Sequence, residues 1–115
     1  MNPTASTLEI TSFRTKPGVT EEQLRAAIVA SNLYLNRCPG FLGRHVGREP
    51  GTGLWREVLE WRDLDCAEAG AAHFLDAPET SALADCIDFG AVENKLIHVD
   101  LVADYAAEPL ALAHG

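Results

Sequence analysis

Two side chains that titrate near neutral pH stand where chemistry could be done. His45 and His98 each fall inside a segment that reads as a strand. An imidazole held there can act as a general base, as a hydrogen-bond donor to a substrate, or as a metal ligand beside Glu57, Glu60 or Asp100. The plainer alternative is that each is a surface histidine or a hydrogen-bonded core histidine. No H-x-H or H-x-x-x-H spacing supports a metal, so no metal site is expected. Arg56 is placed to hold an anion formed on a substrate, and Trp55 and Trp61 to hold an aromatic ring. Glu60 and Asp100 are candidates for substrate binding; Glu9 and Asp100 are acids that would titrate upwards if buried in the same space, or would lie at a solvated strand edge. Trp61 reads more readily as an anchor of the core than as a catalytic residue. His73, next to Phe74, reads as a helix-surface or rim histidine. Cys38, Cys66 and Cys86 lack the helix start or basic cluster that activates a thiolate. There is no G-x-S-x-G, glycine-rich phosphate loop or zinc spacing.

The elements that position these residues follow from local chemistry. Residues 1 to 7 are small and polar and read as frayed. Leu8 to Thr15 reads as a strand, stopped by Pro17 and Gly18. Thr20 to Gln23 is a capping-box pattern, with Glu21 and Glu22 in the favourable first turn of the helix that follows. Leu24, Ile28, Ser31 and Leu35 recur at helical spacing, and Cys38-Pro39-Gly40 ends the helix. Phe41 to Arg48 and Leu54 to Trp61 read as strands of an antiparallel hairpin around the turn Glu49 to Gly53. Asp63 or Asp65 caps a second helix carrying Ala67, Ala71, Phe74 and Leu75. Ala77-Pro78 breaks it, and Glu79 to Cys86 makes a further short helix. Val92 to Val102 reads as the last strand, followed by an alanine-rich tail from Ala103 to Gly115.

Register decides which residues meet. If Arg48 faces Leu54, His45 pairs with Glu57 and shares a face with Trp55, Leu59 and Trp61. This is the favoured arrangement, a histidine–carboxylate pair among aromatic rings. A slip of one residue sets His45 opposite Val58 instead, beside Arg56 and Glu60.

The order β-α-β-β-α-β predicts an α+β, ferredoxin-like domain: a four-stranded antiparallel sheet with its helices on one face. The whole chain, 1–115, is read as one domain with a core over 8–102 and a tail over 103–115. Nothing in the chain covers the second sheet face, whose strands carry apolar residues. Pairing two copies of the chain face to face would cover it, so a homodimer is expected, with the site sought between the two sheets.

Lys16-Pro17-Gly18 followed by Thr20-Glu21-Glu22, then Cys38 to Gly43, Trp55 through Trp61 and Ala67 to Phe74 resemble the dimeric α+β barrel superfamily, in particular its antibiotic-biosynthesis-monooxygenase-like proteins. The resemblance spans residues 8 to 102. It implies a dimeric α+β barrel enclosing a cavity. Members include cofactor-free oxygenases of aromatic polyketides, haem-degrading enzymes and isomerases. The haem-degrading members carry an asparagine on strand one, where this chain has Glu9, Thr11 and Ser12. His73 also lies farther from Trp61 than the corresponding histidine does in those members. The polyketide oxygenases set a tryptophan among asparagine, tyrosine and arginine; Trp55, Trp61 and Arg56 match in type, and the asparagine and tyrosine have no match.

Composition narrows the classes. Nine basic residues against seventeen acidic ones give a net charge of −8, which repels nucleic-acid backbones. Arg44, Arg48, Arg56 and Arg62 form the nearest approach to a basic cluster and read as a solvated sheet edge. Three cysteines without C-x-x-C spacing point to reduced thiols and a cytoplasmic protein. No signal peptide is legible, and no apolar run reaches the roughly 18 residues of a membrane span. The expected function is a small-molecule-binding homodimer taking a small apolar ligand, with no nucleic-acid or membrane partner. Its sharpest form is a monooxygenase-like enzyme with no bound cofactor, acting on an apolar aromatic substrate. The alternatives are a non-catalytic ligand-binding or stress-related protein and, further off, haem binding or degradation.

Overall fold

The computed structural model describes residues 5–102. Strand β1 (Thr7–Thr15) leads to helix α1 (Glu21–Leu35). The hairpin of β2 (Phe41–Arg48) and β3 (Trp55–Trp61) follows, then α2 (Leu64–Ala72). Two single 3₁₀ turns, Phe74–Asp76 and Pro78–Thr80, lead into α3 (Ser81–Cys86) and the last strand, β4 (Ile87–His98). The sheet order is β2-β3-β1-β4 and every neighbouring pair is antiparallel. The fold is therefore the expected ferredoxin-like α+β arrangement.

Local signals work as their chemistry requires. Thr20 Oγ1 accepts from the amide of Gln23 at 3.1 Å, and Gln23 Oε1 accepts from the amide of Thr20 at 2.9 Å. Asp63 caps α2 by accepting from the Cys66 amide at 2.9 Å. Gly40 takes φ +79°, and Cys66 occupies the space a side chain there would need.

Three boundaries differ from expectation. Helix α2 ends at Ala72, so Phe74 and Leu75 stand in a 3₁₀ turn and not on the helix. Of the segment read as frayed, Ser6 is held in place: its amide donates to the Trp61 carbonyl at 3.1 Å and its carbonyl accepts from Val99 at 2.8 Å. The last strand begins at Ile87 and ends at His98 instead of spanning 92–102. It starts directly from α3 by pairing Ile87 with Thr15, and a bulge opposite Ser12–Arg14 absorbs the irregular Phe89-Gly90 stretch. It stops at His98 because β1 has no further strand residue to offer beyond Thr7. The tail 103–115 lies outside the described residues.

Alternation gives the sheet two faces. Thr7, Glu9, Thr11 and Phe13 of β1 meet Trp61, Leu59, Glu57 and Trp55 of β3 on the inner, helix-covered face. The core there falls into two clusters, one around Phe13, Leu24, Trp55 and Leu83, the other around Tyr34, Leu35, Leu59 and Trp61. Trp61 is wholly buried. An indole removes roughly 200 Å² from water, which at about 25 cal/mol/Å² contributes on the order of 5 kcal/mol. Its ring lies against Gly70 of α2, where a Cβ would overlap Cη2 of Trp61 and come within 2.9 Å of Cζ2. Gly70→Ala is therefore expected to destabilise the protein by about 1–3 kcal/mol through overpacking. Urea unfolding checks this, and an unchanged midpoint would show that the contact yields freely.

Candidate functional site

A cavity of about 240 Å³ lies between the inner sheet face and the helical layer. The sheet contributes Glu9, Thr11, Phe13, Glu57, Leu59, Trp61 and Asn94. Leu35, Gly70, Ala71, Phe74, Leu75 and Leu83 form the opposite wall, and Ile87, Phe89 and Val92 complete the lining from β4. This cavity lies under the helices, on the face opposite the uncovered sheet face where the sequence pattern seeks a site. The physical reason is shape. The helices bridge the sheet over small residues such as Gly70 and Ala71, and leave space between the aromatic rings.

One wall of this apolar space is polar and internally bonded. Glu9 is 6% exposed. Its Oε1 accepts from Trp61 Nε1 at 3.0 Å and its Oε2 from Asn94 Nδ2 at 2.9 Å. The same Asn94 amide donates to Thr11 Oγ1 at 2.7 Å. Diagonally across the sheet, Glu57 Oε2 accepts from Arg44 Nε at 2.6 Å, and Arg44 Nη2 lies 2.5 Å from it. Arg44 in turn donates from Nη1 to Ser31 Oγ at 2.7 Å, Asn32 Oδ1 at 2.8 Å and the Ile28 carbonyl at 3.2 Å, all on α1. Burial pushes the Glu57 carboxyl above its ordinary range; Arg44 opposes this and Glu9 adds to it. A carboxyl so placed can take or give a proton in a low-dielectric pocket.

The expected residues are distributed over both faces. Glu57 and Trp61 line the cavity. Trp55 shares their face but is buried in the neighbouring cluster, stacked on Phe13 at 6.4 Å with Arg48 over its ring at 5.5 Å. His45 stands opposite Val58, on the uncovered face and exposed, so the favoured pairing with Glu57 is not the one formed. The cause is a register shift between Phe41 and Gly43. Toward the turn Arg48 pairs with Trp55, and the expected phase holds only at Phe41–Trp61. Gly43 tolerates the irregularity because it has no side chain to collide with Glu60. Arg56 and Glu60 also belong to the uncovered face. Arg56 bonds Glu49 and Ser12, each at 2.9 Å. His98 has inner-face phase at the open end of β4 and is exposed, and Asp100 lies beyond the strand, also exposed. His73 caps the end of α2 in the open.

The sequence does not single out Arg44 or Asn94 for this site, nor Tyr34, which stands behind its Gly70 wall. Tyr34 donates to the Gly70 carbonyl at 2.7 Å, and burial raises its hydroxyl to about 12. A signal for Arg44 does exist: Ser31 stands in the apolar stripe of α1, a polar side chain waiting for a buried partner. All three cysteines are free. Contrary to expectation, Cys66 does stand at a helix start, in the first turn of α2 with Arg62 Nη2 3.2 Å from its Sγ, yet Asp63 holds its thiol up; burial does the same for Cys86. Among the described residues no group of three His, Cys, Asp or Glu is gathered to hold a metal, and no helix is long and apolar enough to cross a membrane.

No protein-family model and no curated protein matches the sequence. Solved structures do share the fold. SnoaB, a cofactor-independent oxygenase from Streptomyces nogalater, is 18% identical with a TM-score of 0.68, over 85% of this chain and 96% of its own. A point mutant of MhuD, with two manganese protoporphyrin IX bound per active site, is 19% identical with a TM-score of 0.68, over 85% and 98%. A dimeric protein of unknown function and ferredoxin-like fold from Bacteroides fragilis is 14% identical with a TM-score of 0.56, over 81% and 95%. Proposed antibiotic biosynthesis monooxygenases from Bordetella bronchiseptica and Chloroflexus aurantiacus share it too. The chain thus shares its ferredoxin-like fold with these solved structures.

Proposed function

We propose that this protein is a homodimer whose helix-covered cavity binds a compact aromatic molecule, and that it acts as a cofactor-free, monooxygenase-like enzyme with Glu57 as the base. The observation that carries this reading is a carboxyl raised by burial at the wall of an otherwise aromatic and aliphatic cavity. Glu57 would take a proton from an acidified C–H of the substrate. The resulting anion is oxidised by dioxygen, so that a CH₂ becomes a carbonyl and the second oxygen atom leaves as water. Trp61 and Phe74 hold the ring. The role of base passes from His45 and His98 to Glu57, because neither histidine lines the cavity. The likeness to SnoaB supports oxygen as co-substrate. Oxygen uptake with anthrone-like and quinol compounds tests the reading, and an absence of turnover with every one of them overturns it.

One observation favours a second reading, ligand binding without chemistry: Arg44 already occupies the Glu57 carboxylate. Saturable binding of the same compounds without oxygen uptake would select it. Haem does not fit this cavity. Its volume of about 240 Å³ falls below the roughly 300–1,000 Å³ of ordinary ligand pockets. None of the described lining residues is a histidine, cysteine or tyrosine that could ligate iron.

The dimer rests on the uncovered sheet face. Leu8, Ile10, Val58 and Ile97 give it an apolar centre, and Ile97 is 44% exposed. Arg56, Lys95, Glu60 and Glu93 stand around that centre with balanced charge, so two copies related by a two-fold axis can set opposite charges together. His45, Arg56 and Glu60 would then lie at the interface. Light scattering at micromolar concentration is expected to give twice the chain mass of 12.4 kDa, and a value of one chain mass would overturn the pairing.

A further inference from the structure

We infer that the cavity selects its ligand by charge: it takes an aromatic ring carrying a protonated amine and turns away the same ring carrying a carboxylate. This rests on the reading of the cavity as a ligand site. Two carboxylates, Glu9 and Glu57, face the space. The inner sheet face brings two arginines toward it, and both are committed. Arg44 spends its donors on Glu57 and on three acceptors of α1. Arg48 stands at the hairpin end over Trp55, paired with Glu21. The described helical wall brings no charge, being built from leucine, alanine, glycine and phenylalanine. Lys95 pairs with Ile10 and so points to the other face.

Glu9 is therefore the uncompensated group. It receives two neutral donors, the Trp61 indole and the Asn94 amide, and no salt bridge among the described residues. Two neutral hydrogen bonds orient a buried carboxylate but leave its charge standing. A carboxylate ligand brought beside it would add a second uncompensated charge. An ammonium would supply the missing partner while its ring packs against Phe74 and Trp61.

Isothermal titration at neutral pH with phenethylamine, 2-phenylethanol and phenylacetate tests this, because the three share a ring and differ in charge. Phenethylamine is expected to bind at least about tenfold more tightly than phenylacetate, with the alcohol between them. Glu9→Gln should cut that ratio below about threefold. A wild-type ratio below about threefold, or a ratio that Glu9→Gln leaves intact, overturns the charge selection. The wild-type ratio decides by itself should the variant not fold. Alcohol binding without amine preference sinks this inference and leaves the cavity reading standing, whereas binding of none of the three sinks both.

Discussion

Replacing Glu57 with glutamine is expected to lower turnover by about a hundred- to ten-thousand-fold, the range lost when a positioned general base is removed. Glutamine keeps the shape and can still accept from Arg44, so the substrate KM should change little and the loss should fall on kcat, while the variant gives up part of the stability of the buried ion pair. The pH profile gives a second readout. Below its raised pKa the Glu57 carboxyl is protonated and cannot accept a proton. In the wild type, kcat/KM should fall as the medium is acidified, with a midpoint above the ordinary 4.5 of a glutamate. The same shift has a stability consequence of opposite sense. A carboxyl raised in the folded state favours folding most below 4.5, and that contribution is lost as pH rises through the folded value. The stability of the wild type relative to Glu57→Gln should therefore decline over that window. Full activity in Glu57→Gln would remove the residue from the mechanism.

Arg44→Met is expected to destabilise the protein by about 3–5 kcal/mol, the cost of breaking a buried pair and leaving one charge without a partner. The side chains of Arg44 and Glu57 are only 7% and 13% exposed, so solvent does little to relieve the loss. Methionine fills much of the volume, which isolates the charge from the cavity term. Removing the cation also removes the influence that lowers Glu57, so the acid limb of the activity profile should move to higher pH. Changing both residues together, Arg44→Met with Glu57→Leu, should recover most of the stability. Chemical unfolding of the two single variants and the double variant gives the coupling directly. A loss below about 1 kcal/mol for Arg44→Met would show that the pair behaves as a surface contact.

The fold was legible because its signals are local. Thr20 and Gln23, Asp63, and Cys38-Pro39-Gly40 each fix an element end through hydrogen bonds or allowed dihedrals within a few residues. The β2–β3 register was not legible, since a shift near Gly43 reverses the phase of every residue from Arg44 to Arg48 and periodicity carries no trace of it. That one irregularity sends His45 out and Arg44 in. An arginine is read as solvated by default, and only a polar side chain on the buried stripe of α1, Ser31, hinted otherwise. Glu57 and Trp61 were legible as candidates from their types and spacing. Asn94 was not, because its role comes from β1–β4 pairing between residues 85 positions apart.

That same separation orders assembly. The β2–β3 hairpin closes a short loop and forms at little entropic cost, whereas the bond from Asn94 to Glu9 must join the two ends of the domain. The Glu9–Asn94 side of the cavity's polar wall is thus expected to form after the hairpin. It follows that a ligand held there acts on the unfolding side of the kinetics. It grips contacts absent from the earlier, hairpin-centred stages, so it should slow unfolding far more than it speeds folding.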